Sequence, residues 1–419
     1  MSMKKLFDID KHDLMFHNKA LFALLIPIVV EQLLNSFMGM VDTMMVSNLG
    51  SQAISGVSLV DSVNNLIVQL FSAMATGAAI ICSHYIGMRN KDGANKAARQ
   101  VVLTVMVISL AITILGLIFR RPLLTLIFGH VEQEVMDNAV DYFLFTALSY
   151  PFLALFSAGS AIFRSCGNSR YPMTVSVISN VFNIGGNALL MFVFKLGVSG
   201  AAISTLVSRV FCMVVIFIAL SKPKLDIVVK DYTAIRPDFG LIKSILAIGV
   251  PSGIENSMFQ FGKLAIQSTV STLGTTAIAA QAMTNILENL NGIGGIGVGI
   301  GLMTIVGQCL GADRKDEAVY YIKKLCVIAE IVMAASCVIV FALTKPITIL
   351  GGMEPESAKM CFHMVMWITI VKPLVWVMSF VPAYGLRAAG DAKFSMITSC
   401  ITMWAFRFCL CVYLIRFQG

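Results

Sequence analysis

Acidic and amide side chains recur at helical spacing inside three long apolar runs near the start of the chain. In the first run, Glu31, Asn35 and Asp42 share one helix face, because positions i, i+4 and i+11 lie one above the other. Lipid does not solvate polar side chains, so such stripes must face each other or water. The same spacing occurs in two further runs, with Asp61, Asn65, Ser72 and Thr76 in one and Ser176, Asn180, Asn183 and Asn187 in the other.

Together these stripes predict a hydrated cavity that contains one or two carboxylates and several amide oxygens. Such oxygens are suitable ligands for a hard cation such as Na⁺, and a carboxyl group can also exchange a proton. A charge at the bilayer centre costs about 2.5–3.5 kcal/mol, which makes an intramembrane carboxylate a functional hypothesis. In the alternative interpretation, the Asn and Ser side chains only link neighbouring helices, and Glu31 and Glu255 lie near the membrane surface.

The elements that must position these residues are membrane spans. The chain is 57% apolar and 13% charged, whereas soluble proteins are about 25% charged. This composition excludes soluble, disordered and disulfide-framework classes, and the long apolar runs exclude a barrel of short alternating strands. Eleven spans are predicted, at about 20–47, 53–83, 95–119, 139–163, 171–194, 198–221, 240–271, 276–309, 319–350, 358–386 and 392–415.

The basic residues are sorted by the sides of the membrane. About two thirds of the 31 Lys and Arg residues fall in the N-terminal segment, which includes Lys4, Lys5 and Lys11, and in every second loop after it. The positive-inside rule then places the N-terminus in the cytoplasm of a multi-pass cell-membrane protein. Since this sorting accounts for the net charge of +8, no nucleic-acid partner is needed.

An internal repeat relates the two halves of the chain. A constant offset of 224 residues aligns Pro27 with Pro251 and Glu31 with Glu255, and one gap later aligns Arg164 with Arg387. Two copies in the same orientation predict an N-lobe of residues 1–221, a cytoplasmic linker of 222–238 and a C-lobe of 239–419. The second copy lacks a counterpart of the sixth span. Either the chain is truncated, which we expect, or the protein works with eleven spans and an external C-terminus.

Several other motifs predict no catalysis. The glycines from Gly292 to Gly297 satisfy G-x-G-x-x-G, but no strand precedes them, so they indicate close helix packing. No catalytic triad, zinc-protease or Walker motif is present, and we expect neither enzymatic activity nor a cofactor. Lys263 and Lys372 lie inside spans, where they either extend towards the membrane surface or pair with Glu255 and Glu288.

Four segments resemble the multidrug and toxic compound extrusion (MATE) family. They are Val41–Gly50 around Asp42, Pro251–Asn256, Leu273-Gly274 with Ala279-Ala280-Gln281, and Gly385–Asp391. The resemblance covers the whole chain and implies an all-α polytopic membrane protein with two six-helix lobes in parallel repeat, the second without its last helix. It implies an antiporter that exports amphipathic, often cationic, drugs or toxic compounds in exchange for H⁺ or Na⁺ by alternating access.

The resemblance also assigns site residues. A coupling site for H⁺ or Na⁺ would consist of Asp42, Asn183, Asn187 and Thr205, and these would be the metal ligands if Na⁺ is used. The predicted cavity and substrate residues are Glu31, Asn35, Asp61, Asn65, Asn180, Glu255, Asn256, Gln281 and Asn285. The expected partners are small-molecule substrates, the coupling ion and membrane lipid, and the expected state is a monomer. The alternative function is a lipid or lipid-linked-oligosaccharide flippase of the same superfamily.

Overall fold

The computed structural model describes residues 14–129, 132–222, 226–229, 236–270, 273–350 and 352–417, and these residues form helices and short connections without any strand. Lys4, Lys5 and Lys11, which contribute to the predicted orientation, lie outside the described residues. So do residues 223–225 and 230–235 of the predicted linker.

The first half of the chain contains the helices α1 to α8. Their bounds are α1 Asn18–Ser47, α2 Ser51–Gly87, α3 Lys91–Ile118, α4 Arg120–Phe128, α5 Gln133–Leu148, α6 Tyr150–Ser165, α7 Arg170–Asn187 and α8 Gly197–Leu220. Helix α7 continues directly into a π-helical segment, Ala188–Val193.

The second half contains α9 to α14. Their bounds are α9 Phe239–Val270, α10 Thr275–Gly311, α11 Lys315–Leu350, α12 Pro355–Ala388, α13 Ala392–Ile401 and α14 Cys409–Phe417. Helices α13 and α14 are joined by a π-helical segment, Thr402–Phe408, so that this part of the chain also runs as one continuous rod.

Nine helices in the described part of the chain are long and apolar enough to cross a membrane. The number becomes ten if α5 and α6 form one span, since they meet at a bend of 43°. A proline in the first turn of α6 accounts for this break in the predicted fourth span. The predicted seventh span is present as α9, which is long enough but carries a more polar middle around Glu255 and Asn256.

The chain forms two compact units whose boundaries lie inside helices. One unit comprises Val30–Gly253, and the other combines the chain up to Val29 with the chain from Ile254 onward. The boundaries fall close to Pro27 in α1 and Pro251 in α9, the prolines that the repeat aligns. Helices α1 and α9 are therefore each divided between the two units. The predicted lobes instead divide the chain between helices, at 221 and 239.

In each unit, a glycine allows close packing against the end of the helix that comes from the other half of the chain. In the unit Val30–Gly253, a Cβ atom at Gly77 of α2 would lie 2.7 Å from the carbonyl oxygen of Ile245 in α9. In the other unit, a Cβ atom at Gly301 of α10 would clash with the Leu25 side chain in α1. Gly77 and Gly301 are 224 residues apart, so the repeat includes the residues that allow this close approach.

We expect the Gly77→Ala substitution to destabilise the protein by about 1–3 kcal/mol, because the added methyl group meets a backbone oxygen that cannot rotate away. Thermal unfolding of the purified protein in detergent measures the effect. Gly185→Ala in α7 is the matched control, since no atom lies within 4 Å of the added carbon. Equal unfolding temperatures for the two variants would contradict the expected clash.

Candidate functional site

Asp42 lies at the centre of a polar network in the unit Val30–Gly253. The amide nitrogen of Asn187 donates a hydrogen bond to Asp42 Oδ1 at 2.7 Å, which joins α1 to the last residue of α7. Asn187 is buried, with 1% of its surface exposed, and Asn183 one turn earlier is 6% exposed. The structure therefore brings together three of the four predicted coupling residues on two helices that are distant in sequence.

Thr205 of α8 completes this group through Asn183. The hydrogen-bond network assigns the Asn183 amide, because one orientation satisfies every partner. In that orientation its nitrogen donates to Asp42 Oδ1 at 3.1 Å, and its oxygen accepts from the Thr205 hydroxyl and the Thr205 backbone N–H, both at 3.3 Å. Asp42, Asn183, Asn187 and Thr205 thus form one contiguous cluster, which we call the Asp42 cluster.

One oxygen of the Asp42 cluster has no hydrogen-bond donor. Asn187 Oδ1 is buried and accepts no hydrogen bond from any residue that the structure describes, although its amide nitrogen is bonded to Asp42. A buried amide oxygen without a donor is rare, since its desolvation costs about 1–3 kcal/mol. A cation bound beside Asp42 would satisfy this oxygen, and the residues present therefore fit Na⁺, a hard cation that prefers carboxylate, amide and hydroxyl oxygens.

The described residues contain no group of three or more His, Cys, Asp and Glu side chains that could hold a metal ion. The Asp42 cluster has a single carboxylate and three neutral side chains. This donor set is typical of a weakly held monovalent cation or a proton, and it differs from the multiple anionic or sulfur ligands of a tightly bound transition metal.

A second polar network adjoins the Asp42 cluster through Asp61 of α2. Asn64 Nδ2 and the Tyr142 hydroxyl donate to Asp61 Oδ1 at 3.3 and 3.5 Å, and the Tyr150 hydroxyl donates to Asn64 Oδ1 at 2.6 Å. The sequence predicts Asn65 for this position, but Asn65 is exposed and the buried neighbour Asn64 makes the contacts. The single-position difference arises because helical spacing alone does not determine which of two adjacent Asn side chains faces inward.

Arg209 of α8 is the basic residue of this region. Its guanidinium donates to Ser149 Oγ at 2.6 Å and interacts electrostatically with both Asp42 and Asp61. Arg209 lies one helical turn after Thr205, inside an apolar span, and a basic residue in such a span is a signal that sequence reasoning can use. No comparable signal marks Tyr142, Tyr150 or Ser149, because aromatic and hydroxyl residues are common in membrane helices.

The two repeats contain equivalent buried ion pairs. In the unit Val30–Gly253, Arg164 Nη2 lies 2.7 Å from Glu31 Oε2 and 2.8 Å from Glu31 Oε1. In the other unit, Arg387 Nη2 lies 2.7 Å from Glu255 Oε2. The repeat aligns Glu31 with Glu255 and Arg164 with Arg387. Sequence reasoning did not predict that the Glu and the Arg within each copy form an ion pair.

The partners of Glu255 bear on its predicted role as a cavity residue. Besides Arg387, Ser395 and Ser399 donate hydrogen bonds to this carboxylate, at 3.1 and 2.7 Å for the shortest contacts. Glu255 is 5% exposed and Glu31 is 3% exposed. Both carboxylates are therefore buried and neutralised by an arginine, an arrangement that joins helices within each unit.

The remaining predicted residues are more dispersed. Asn35 accepts a hydrogen bond from Ser176 at 3.1 Å, and the buried Nδ2 atom of Asn180 makes no hydrogen bond to a described residue. Asn256, Gln281 and Asn285 are half-buried in the unit that begins at Ile254. The predicted pairing of Lys372 with Glu288 is confirmed, with Nζ 3.7 Å from Glu288 Oε1 and 2.9 Å from its backbone oxygen.

The family model described as MatE matches the chain twice, over residues 27–189 and 251–413. The two matches begin and end 224 residues apart, which confirms the internal repeat at the predicted offset. Together they cover most of the chain, including Asp42, Asn183 and Asn187 of the Asp42 cluster and both buried ion pairs.

Curated relatives and solved structures agree with this match. "Uncharacterized transporter YisQ" of Bacillus subtilis is 27% identical over 390 residues, which are 92% of this chain and 85% of the relative. "Probable multidrug resistance protein NorM" of Thermotoga maritima is 24% identical over 407 residues, 95% of this chain and 86% of the relative. A multidrug resistance MATE family transporter of the MOP superfamily, solved in an outward-facing conformation, has the same fold with a TM-score of 0.89 at 18% identity, over 95% of this chain and 88% of that one.

The repeated family match and the fold of two repeated helical halves lead to one assignment. This chain belongs to the MatE family, the multidrug and toxic compound extrusion transporters, and is a membrane transporter rather than an enzyme.

Proposed function

We propose that this protein is a secondary antiporter that exports amphipathic drugs or toxic compounds in exchange for Na⁺ or H⁺ at the Asp42 cluster. The observation that supports this proposal is the buried Asn187 amide. Its nitrogen donates to Asp42, while its oxygen accepts no hydrogen bond within the described part of the chain. The family membership and the multidrug resistance relative support export of small molecules.

The Asp42 cluster joins α1, α7 and α8, so that cation binding there changes contacts among three helices. The Asn183 and Asn187 amides donate to the Asp42 carboxylate. A bound Na⁺ would compete with the amides for that carboxylate and attract the amide oxygens. A proton on Asp42 would remove its negative charge and weaken the hydrogen bonds from both amides. Either event favours a different packing of these helices, which is the differential interaction that a coupled conformational change requires.

The π-helical segment after Asn187 fits this role. It begins at Ala188, directly after the residue that donates to Asp42. π-Helical turns often occur at functional sites, and their backbone hydrogen bonds can shift register more easily than those of an α-helix. A change at Asp42 can therefore be relayed along α7 through Asn187.

Ion gradients supply enough free energy for this export. A tenfold gradient of one cation supplies about 1.4 kcal/mol. A membrane potential of 100 mV adds about 2.3 kcal/mol for each charge moved. One cation per cycle is then sufficient for export against a concentration difference of several hundredfold. We propose that the transporter is a monomer with its N-terminus in the cytoplasm.

Efflux from everted vesicles tests the proposed function, with a Na⁺ gradient and a pH gradient imposed separately. We expect one of the two gradients to drive accumulation of the substrate inside the vesicles, and dissipation by an ionophore to stop it. Transport that is indifferent to both gradients would overturn the proposal.

We expect Asn187→Leu to raise the cation concentration that gives half-maximal efflux at least tenfold, because Leu has a similar volume but provides no oxygen for the cation. The measurement is initial efflux rate against Na⁺ concentration or pH. Asn289→Leu, at an exposed position of α10, is the control and should leave this concentration unchanged. An unchanged value in Asn187→Leu would remove Asn187 from the cation site.

A further inference from the structure

Three basic and three aromatic side chains lie close together in the unit that begins at Ile254, and one of them, Arg407, is exposed. Lys263 Nζ lies 5.3 Å from the centre of the Phe259 ring, and Arg407 Cζ lies 5.8 Å from the centre of the same ring. Lys372 Nζ lies 5.9 Å from the centre of the Trp376 ring. We call Lys263, Lys372, Arg407, Phe259, Trp376 and Phe380 the basic aromatic cluster.

The aromatic rings connect the three cations. Phe380 packs edge-to-face against Phe259, with ring centres 5.8 Å apart, and stacks on Trp376 with ring centres 4.8 Å apart. The rings come from α9 and α12, and Arg407 comes from the π-helical segment after α13. The cluster is therefore a continuous aromatic surface with positive charge at both ends.

The positive charge of the basic aromatic cluster is only partly balanced. Glu288 is paired with Lys372. Among the described residues, neither Lys263 nor Arg407 makes an ion pair, although Lys263 is attracted by Glu288 as well as repelled by Arg407. Three cations against one carboxylate leave an excess of two positive charges, which are costly inside membrane helices and mark a functional site by default.

The packing of α10 against α12 is adapted to this cluster. A Cβ atom at Gly295 of α10 would clash with the Trp376 ring, so the ring packs where it does because position 295 is glycine. Gly292, one turn earlier, lies beside the Lys372 ammonium group. The glycine-rich stretch of α10 thus makes the close helix contact that the sequence predicts. It packs against Trp376 and Lys372 of the cluster.

We propose that the basic aromatic cluster binds the transported substrate and selects planar aromatic anions. The rings offer a face for stacking, and Lys263 and Arg407 offer charge to a carboxylate at the edge of the substrate. The inference rests on the proposed export function and names the substrate class. It departs from the expectation of a cationic drug, because a cation at this position would face an excess of like charge.

A matched pair of dyes tests this selection. Fluorescein and rhodamine 123 share one planar xanthene ring system, but fluorescein is anionic at neutral pH and rhodamine 123 is cationic. Fluorescence polarisation with the purified full chain in detergent measures both affinities without any ion gradient. We expect fluorescein to bind at least tenfold more tightly than rhodamine 123.

Variants assign the binding to the cluster. Lys263→Met and Arg407→Met should each weaken fluorescein binding about tenfold and leave rhodamine 123 binding unchanged or stronger. Lys345→Met is the matched control, because Lys345 lies 5.3 Å from the centre of the Phe362 ring, outside the cluster, and should bind fluorescein normally. Monodisperse gel filtration of each variant verifies folding.

Two results would overturn the proposal. One is tighter binding of rhodamine 123 than of fluorescein, and the other is equal fluorescein affinity in Lys263→Met, Arg407→Met and Lys345→Met. If fluorescein binds as expected but neither a Na⁺ nor a pH gradient drives its transport, the antiport function fails while the substrate class stands.

Discussion

Replacement of Asp42 by Asn is expected to reduce gradient-driven efflux to the level of vesicles without the transporter. The Asn side chain has nearly the same shape and still accepts the hydrogen bond that Asn187 donates at 2.7 Å. It carries no negative charge, however, and can neither balance Na⁺ nor take up a proton at neutral pH. Expression and folding should therefore be retained while coupling is lost.

Initial efflux rates in everted vesicles measure this effect under the gradient that drives the unmodified protein. Asp141→Asn in α5, at an exposed position, is the control and should transport normally. Asp42→Glu keeps the carboxyl group and should retain part of the activity, because charge rather than shape is the essential property. Full efflux in Asp42→Asn would exclude Asp42 as the coupling residue.

Loss of either arginine from the two buried ion pairs should strongly destabilise the protein. Arg164→Met leaves the Glu31 carboxylate, 3% exposed, without its cation, and Arg387→Met does the same to Glu255. Removal of one partner from a buried pair costs about 3–5 kcal/mol, because the remaining charge is uncompensated. We expect the two variants to be affected to a similar degree, since the pairs are equivalent in the repeats.

Thermal unfolding in detergent, followed by loss of the monodisperse gel-filtration peak, measures these effects. Arg121→Met is the control, because the exposed pair of Arg121 with Asp137 at 3.5 Å contributes at most about 1 kcal/mol. The double variant Glu31→Met/Arg164→Met should be more stable than Arg164→Met alone, since it leaves no buried charge. A double variant that is less stable than the single one would show that the two residues act independently.

The paired arginines illustrate how far the repeat could be used from sequence alone. The alignment places Glu31 over Glu255 and Arg164 over Arg387, and both pairs then recur at corresponding positions in the structure. The sequence did not reveal that each Glu binds the Arg of its own unit, because the two residues are 133 positions apart in the first copy. Contact over such a separation depends on how α1, α6 and their neighbours pack.

The Asp42 cluster was predictable to a greater extent. Helical spacing places Asn183 and Asn187 on one face of α7, and the family resemblance associates them with Asp42 and Thr205. The spacing did not distinguish Asn64 from Asn65, because adjacent positions on a helix differ by about 100° and a broad polar stripe includes both. Burial by neighbouring helices decides between them, and it selects Asn64.

The sequence by itself determined the class of protein, the helical spans and the internal repeat. These follow from composition and periodicity, because lipid requires long apolar helices and duplication leaves matching Pro and Glu residues at a constant offset. Only the tertiary structure decided that the two compact units have their boundaries inside α1 and α9. It alone also revealed that the Asn187 side-chain oxygen accepts no hydrogen bond from the described residues, and that Lys263, Lys372 and Arg407 lie on one aromatic surface. Each of these depends on the approach of helices that are distant in sequence, and local periodicity carries no information about which helices meet.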